Sequence, residues 1–85
     1  MTAKLELYRV FKTVAEAGNI SAAAQSLYIS QSAISQSIKQ LENQLGVRLF
    51  LRTPRGVNLT EEGRMLYQYV NRAITTIENL SLIHI

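Results

Sequence analysis

Cysteine and aspartate are absent from these 85 residues, proline occurs once, and the only histidine is His84. Without cysteine there are no disulfide staples and no thiolate metal sites, which fits a reducing compartment. With no aspartate and a single imidazole beside no cysteine, neither a metal site nor a Ser-His-Asp arrangement is expected. The four glycines (Gly18, Gly46, Gly56, Gly63) are scattered and form no phosphate-cradling loop. Glu61-Glu62 reads as a pair of helix-start carboxylates rather than a catalytic pair. No catalytic residue, no metal and no cofactor is therefore expected, and the protein is not expected to be an enzyme. No apolar run approaches the ~18 residues of a membrane span. Lys4 and Glu6 precede an amphipathic pattern, unlike a signal peptide. A cytoplasmic protein with no membrane partner is the expectation.

What is present is a chain of one small domain, 47% hydrophobic, with a net charge of +3. A domain of this size buries a modest fraction of its surface and has no disulfide to compensate, so part of its stability is expected from a partner subunit. Net charge alone says little about partners; its distribution says more. From Ala17 to Leu41 there is no carboxylate and the only charge is Lys39. From Val47 to Thr60 there are three arginines, Arg48, Arg52 and Arg55, and again no acid. The six acids, Glu6, Glu16, Glu42, Glu61, Glu62 and Glu78, fall outside both stretches. A surface that approaches phosphates excludes carboxylates in this way.

Periodicity places a first helix over about 3–17, with Leu7, Val10, Phe11 and Val14 on one face and Gly18-Asn19 as its stop. Ser21 is the expected cap of a short second helix through Leu27, whose Ala22-Ala23-Ala24 run lets a neighbour approach closely. Tyr28-Ile29 breaks it. Ser30 caps a third helix that ends at Gly46, with Ile34, Ile38, Leu41 and Leu45 in one stripe. Gln31, Ser32, Ser35, Gln36 and Lys39 fall on a face roughly 120° away. Leu49-Phe50-Leu51 and Val57-Asn58-Leu59 flank Arg52-Thr53-Pro54-Arg55-Gly56, a small hairpin with a stiff basic tip. Thr60 then opens a last helix. Leu66, Val70, Ala73, Ile77 and Leu80 recur on it at alternating spacings of four and three, a heptad seam that predicts a dimer interface. Tyr67 and Tyr69 on the same helix read as packing residues. The fold class is mainly α: a winged helix-turn-helix with a short β-hairpin wing and a long C-terminal dimerisation helix.

A helix entering a major groove needs side chains that donate to and accept from base edges without repelling phosphate. Glutamine pairs bidentately with adenine, and serine serves several bases. Gln31, Ser32, Ser35 and Gln36 supply that set near the start of the third helix, where such helices read bases. Ser30, Lys39, Arg52 and Arg55 are the candidates for the phosphate backbone or minor groove.

The run Phe11-x-x-Val14-Ala15-Glu16-x-Gly18-Asn19-Ile20-x-x-Ala23-Ala24-x-x-Leu27-x-x-Ser30-Gln31-x-Ala33-Ile34-Ser35-x-x-Ile38-x-x-Leu41-Glu42-x-x-Leu45-Gly46 resembles the N-terminal region of LysR-type transcriptional regulators. The likeness continues through Leu49-Phe50-x-Arg52 and Leu59-Thr60-x-x-Gly63, covering about residues 4 to 80. Ser32 stands where the family often has proline, and Ile20 where many members have phenylalanine. The resemblance implies a DNA-binding domain over 1–59 and a linker helix over 60–80 that pairs antiparallel with a second subunit. Double-stranded DNA would be the partner, bound as a homodimer on an interrupted inverted repeat. It also implies that Gln31, Ser32, Ser35 and Gln36 face bases, with Lys39, Arg52 and Arg55 near phosphates or the minor groove.

Members of that family continue into a larger effector-binding domain of two α/β lobes, so a small-molecule effector would act only through a part not contained in these residues. The apolar 81–85 ending reads as a truncation or a tail left by cloning. Two other readings stay open: a winged helix used for protein interaction with its basic face idle, and a related domain fused to a different sensor, as in molybdate-responsive regulators.

Overall fold

The computed structural model describes residues 4–83, with side chains as far as Leu80. Four helices and one hairpin follow in the order α1 (Leu5–Ala17), α2 (Ile20–Leu27), α3 (Gln31–Leu45), β1 (Phe50–Thr53), β2 (Gly56–Leu59) and α4 (Glu61–Ile83). This is a winged helix-turn-helix, mainly helical, in which α1, α2 and α3 pack on one another and α4 lies along α1. Ser81–Ile83, set apart with the tail on sequence grounds, continue the backbone of α4; His84 and Ile85 of that tail lie outside the described residues.

The expected apolar stripes form the core. Leu7, Val10, Phe11 and Val14 of α1 are buried against Ala23 and Ala24 of α2 and Ile34, Ile38 and Leu41 of α3. Alanine at Ala23 and Ala24 lets α2 approach its neighbours closely, because the buried side chains end at Cβ. Leu45, the last member of the α3 stripe, is 37% exposed, since the helix ends there and runs past its neighbours. Phe50 joins the core from the hairpin, its ring 5.4 Å from that of Phe11 in a tilted pair.

Side-chain caps mark where α2, α3 and α4 begin. The Ser30 hydroxyl accepts from the Ala33 N–H at 3.1 Å, as expected for α3. The cap of α2 is Asn19 rather than Ser21: its side-chain oxygen accepts from the Ala22 N–H at 2.7 Å. Asn19 therefore ends one helix's stop signal and starts the next helix, and Ser21 sits inside the first turn, exposed. Thr60 caps α4, its hydroxyl accepting from the Gly63 N–H at 2.9 Å while donating to the Arg48 carbonyl at 2.6 Å.

The hairpin pairs Phe50 with Leu59, Leu51 with Asn58, Arg52 with Val57 and Thr53 with Gly56. Backbone-to-backbone contacts fasten it at three places. The Val57 N–H donates to the Gly18 carbonyl at 3.0 Å and the Thr60 N–H to the Leu49 carbonyl at 2.9 Å. The third is a close approach of backbone to backbone: a Cβ on Gly63 would stand well inside contact distance of the Leu49 carbonyl oxygen and 3.0 Å from the Leu59 side chain.

The far side of α4 is held to α1. The Tyr67 hydroxyl donates to a Glu16 carboxylate oxygen at 2.7 Å, and Lys12 lies 3.1 Å from the same oxygen. Partial burial pushes the Glu16 carboxyl up. The hydrogen bonds from Tyr67 and Lys12 and the Lys12 charge outweigh it and hold the group below the usual glutamate value. The same bond, and then partial burial, push the Tyr67 phenol up. Arg9 and Glu78, 3.7 Å apart, add an exposed ion pair farther along the two antiparallel helices.

On an open helix face, replacing glycine with alanine gains about 1 kcal/mol of helix propensity. At Gly63 the added methyl meets the Leu49 carbonyl, so Gly63→Ala is expected to cost roughly 1–3 kcal/mol instead. Thermal unfolding reads the sign directly, and a raised melting temperature would mean that α4 does not sit this close to the hairpin.

Candidate nucleic-acid interface

At 100° per residue, Ile34, Ile38 and Leu41 take one side of α3 and are buried. Gln31 is exposed because it opens the helix, although it lies only about 50° from the centre of that stripe, while Ser32, Gln36 and Lys39 are exposed on the opposing face. Ser35 lies nearer to the buried stripe and is half-buried. Ser30 is exposed, yet its hydroxyl is already engaged as the cap and lies 3.2 Å from the Ser32 hydroxyl. The two serines thus form a small hydroxyl pair at the mouth of the helix, with acceptor capacity left over.

The hairpin stands beside this face. Along β1, Phe50 and Arg52 share one side of the strand because side chains alternate. Phe50 is drawn into the core, which aims Arg52 at α3. Its Nη2 donates to the Ser35 hydroxyl at 3.4 Å, a bond between wing and helix. Arg55 occupies the tip with Pro54. There the Thr53 hydroxyl accepts from the Arg55 N–H and donates to the Gly56 carbonyl, both at 3.3 Å, which closes the turn.

The seat of the wing is a single carboxylate. Glu42 Oε2 accepts from the Leu49 N–H at 2.7 Å and the Phe50 N–H at 3.3 Å, with Arg48 Nε 3.8 Å away. Glu42 is the one acid between the two carboxylate-free stretches. Its side chain is only 15% exposed, and its charge is taken up by backbone donors and Arg48. The basic face therefore meets a carboxylate that is largely covered and already partnered.

Between α3 and the hairpin lies an open cleft of about 610 Å³ whose polar lining is Ser35, Lys39, Glu42, Asn43, Arg48 and Arg52, three cations to one carboxylate. Asn43 and Arg48 were not among the expected site residues. The acid-free stretch from Val47 already contained Arg48, whereas nothing in the sequence pattern marked Asn43. Among the described residues the ion pairs are Arg9–Glu78, Lys12–Glu16 and Arg48–Glu42. Lys39, Arg52 and Arg55 have no carboxylate partner there. The described residues hold no cluster of metal-ligating side chains, and no described helix is long and apolar enough to cross a membrane.

The expected dimer seam divides. Val70 is buried, and Leu66 is half-buried against the same core, so both serve their own protomer by packing toward α1. Ile74, absent from the seam, is buried beside them. Ala73 is exposed, Ile77 is 41% exposed and Leu80 50% exposed. Tyr69, expected to pack, is 65% exposed and belongs to that outer strip, while Tyr67 makes the bond to Glu16. The apolar surface of α4 is wider than α1 can cover. Its uncovered half borders an apolar groove of about 240 Å³ beside Leu5 and Tyr8.

Residues 5–64 match the family described as bacterial regulatory helix-turn-helix protein, lysR family. Over 72 residues the chain is 43% identical to the HTH-type transcriptional regulator CzcR of Bacillus cereus, covering 85% of this chain and 25% of that protein. It is likewise 43% identical over 74 residues to the HTH-type transcriptional regulator GltR of Bacillus subtilis, covering 87% of this chain and 25% of the relative. The chain thus spans about a quarter of the length of the curated relatives it matches.

Among solved structures it is similar to the CbnR DBD in a complex with DNA, at a TM-score of 0.86 and 34% identity, covering 93% of this chain and 91% of that one. It is also similar to the BenM DBD in a complex with benA site 1 DNA, at a TM-score of 0.90 and 32% identity, covering 96% and 95%.

Glu42→Ala is expected to leave the Leu49 and Phe50 N–H groups without their acceptor and to cost about 1.5–3 kcal/mol. Glu42→Gln keeps an acceptor oxygen and is expected to lose less. Urea unfolding of both measures the difference; two variants matching the parent would show that this carboxylate does not hold the wing.

Proposed function

Because the chain belongs to the lysR family of bacterial regulatory helix-turn-helix proteins, we propose that it binds double-stranded DNA in a sequence-specific manner as the reading end of a transcription regulator. The observation that carries this is the joined surface of α3 and the wing. Exposed Ser32, Gln36 and Lys39 share one face of α3 with Gln31 at its start, Arg52 of the wing reaches Ser35 of the same helix, Arg55 stands at the wing tip, and no exposed carboxylate falls among them in the sequence. Glutamine and serine match the donor and acceptor pattern of base edges, and a major groove about 12 Å wide admits the helix that bears them. The cations supply affinity by displacing counterions from phosphates, while the helix face supplies specificity. The similar CbnR and BenM DBDs are solved in complexes with DNA, which supports DNA as the partner.

The second half of the proposal is a homodimer on an interrupted inverted repeat. The strip formed by Tyr69, Ala73, Ile77 and Leu80 is apolar and uncovered, and a second copy would cover it with the same strip by two-fold symmetry. Fully burying one large apolar side chain is worth about 1.5–3 kcal/mol, so three half-exposed ones on each protomer contribute several kcal/mol to pairing. Val70 and Leu66 take part from beneath, by fixing the helix that carries the strip. A chain acting in this way would work in the cytoplasm, as part of a longer regulator whose effector is bound elsewhere.

Selection from a pool of random duplexes at moderate salt tests both halves. Enrichment of an inverted repeat with a fixed gap is the expected result; retention with no shared sequence would favour an interaction module with an idle basic face. On the selected site, Gln36→Ala is expected to cost about 1–3 kcal/mol and to relax preference at one position in each half-site. An unchanged preference would remove Gln36 from the reading set. Arg55→Ala is expected to weaken binding to all sequences alike and to lower the salt slope by about 1 per protomer, about 2 for the dimer. An unaltered slope would place the wing tip away from the backbone.

A further inference from the structure

We propose that Tyr28 is a DNA-contact residue, its phenol donating a hydrogen bond to a backbone phosphate at the edge of the groove that α3 enters. The inference rests on the DNA-binding reading above and adds to it a residue that no motif marks.

Three helices of this protein end on a left-handed residue. For α1 and α3 that residue is glycine, Gly18 at φ 75° and Gly46 at φ 74°. For α2 it is Tyr28, at φ 59° and ψ 38°. The local bonding is the ordinary one for such an end, with the Ile29 N–H reaching the Ala24 carbonyl at 3.2 Å. Glycine or asparagine fits this backbone at little cost, and a Cβ-bearing aromatic does not. Tyr28 is the only non-glycine with positive φ among the described residues.

Packing does not account for it. Tyr28 is 94% exposed, well beyond Tyr69 at 65%, the next most exposed large apolar side chain. Its hydroxyl makes no hydrogen bond among the described residues, unlike that of Tyr67. A bulky side chain kept in an unfavourable conformation, in contact with nothing, is the pattern of a residue held ready for a partner.

Position and charge identify the partner. Tyr28 lies two residues before the cap Ser30 and three before Gln31, within roughly 10 Å of chain from the start of the reading face. It sits in the carboxylate-free stretch from Ala17 to Leu41, so no nearby acid in the sequence repels an anion. In this arrangement the residues just ahead of a reading helix flank the groove, where phosphates line the edge. A phenol is a neutral donor at physiological pH, and tyrosine is among the side chains that bond phosphate oxygens. Neutrality gives the contact a mark of its own. It adds affinity without releasing a counterion, so its loss does not alter the salt slope.

Tyr28→Phe removes only the hydroxyl, and Tyr28→Gly removes the whole side chain while relieving the backbone. The full chain and both variants are titrated with a duplex carrying the site selected from the random pool, over a range of salt. The Phe variant is expected to bind about three- to tenfold more weakly per protomer, and the Gly variant at least as weakly. Both are expected to keep the parent's slope of log Kd against log salt and to unfold at or above its temperature. Parental affinity in the Phe variant would overturn the proposal. So would a Gly variant that loses stability along with affinity, since Tyr28 would then be structural. Failure of the random pool to yield any site that the parent binds would overturn the DNA-binding reading, and Tyr28 with it, which separates the two failures.

Discussion

The backbone of Leu49 is where three elements of this protein meet. Its N–H donates to the Glu42 carboxylate of α3, its carbonyl accepts from the Thr60 N–H at the head of α4, and the bare Cα of Gly63 closes against that same carbonyl. Its side chain is fully buried. A residue whose donor, acceptor and side chain are all committed cannot shift without breaking several contacts together. The start of the hairpin is therefore fixed relative to the helix before it and the helix after it. This explains why a two-stranded sheet, marginal by itself in water, is stable here.

From that junction the basic face is arranged in a few steps. Phe50, next in the chain, turns into the core against Phe11. Strand alternation then delivers Arg52 to the same side, where it meets Ser35 of α3. Arg55 follows at the tip. The one acid that the region requires for its architecture, Glu42, is placed where backbone donors and Arg48 absorb its charge. The charge pattern of the sequence and the packing of the hairpin are in this sense one design. Carboxylates are kept off the surface, and the exception is spent on holding the wing.

Much of this was legible in the residues because it rests on short-range periodicity. The α1 stripe of Leu7, Val10, Phe11 and Val14, the Ser30 cap and the hairpin about Pro54-Arg55 depend on spacing and local turn chemistry alone. What escaped depends on which neighbour a residue meets. Asn19 and Ser21 are both good caps, and only the path between α1 and α2 decides for Asn19. The heptad reading of α4 found an apolar surface but could not divide it, because the position of α1 is a tertiary fact. Val70 and Leu66 fell to the inner half, and Tyr69 to the outer. Arg52 was visible as a cation, whereas its bond to Ser35 spans seventeen residues of sequence and belongs to the hairpin's placement.

The same anchoring bears on how a pair of such chains would measure DNA. The head of α4 is clamped to the hairpin through Thr60 and Gly63, and its body to α1 through Tyr67 and Glu16. It is thus rigidly related to α3, on which α1 also packs. In the proposed dimer the only adjustable joint is the strip of Tyr69, Ala73, Ile77 and Leu80 between the two copies. The distance between the reading helices would then be set by how those side chains interlock, in a part of the molecule that touches no base. Half-site spacing and base preference would be encoded separately, the first in α4 and the second in α3. A change in the apolar strip would retune the gap of the repeat while leaving each half-site sequence as it was.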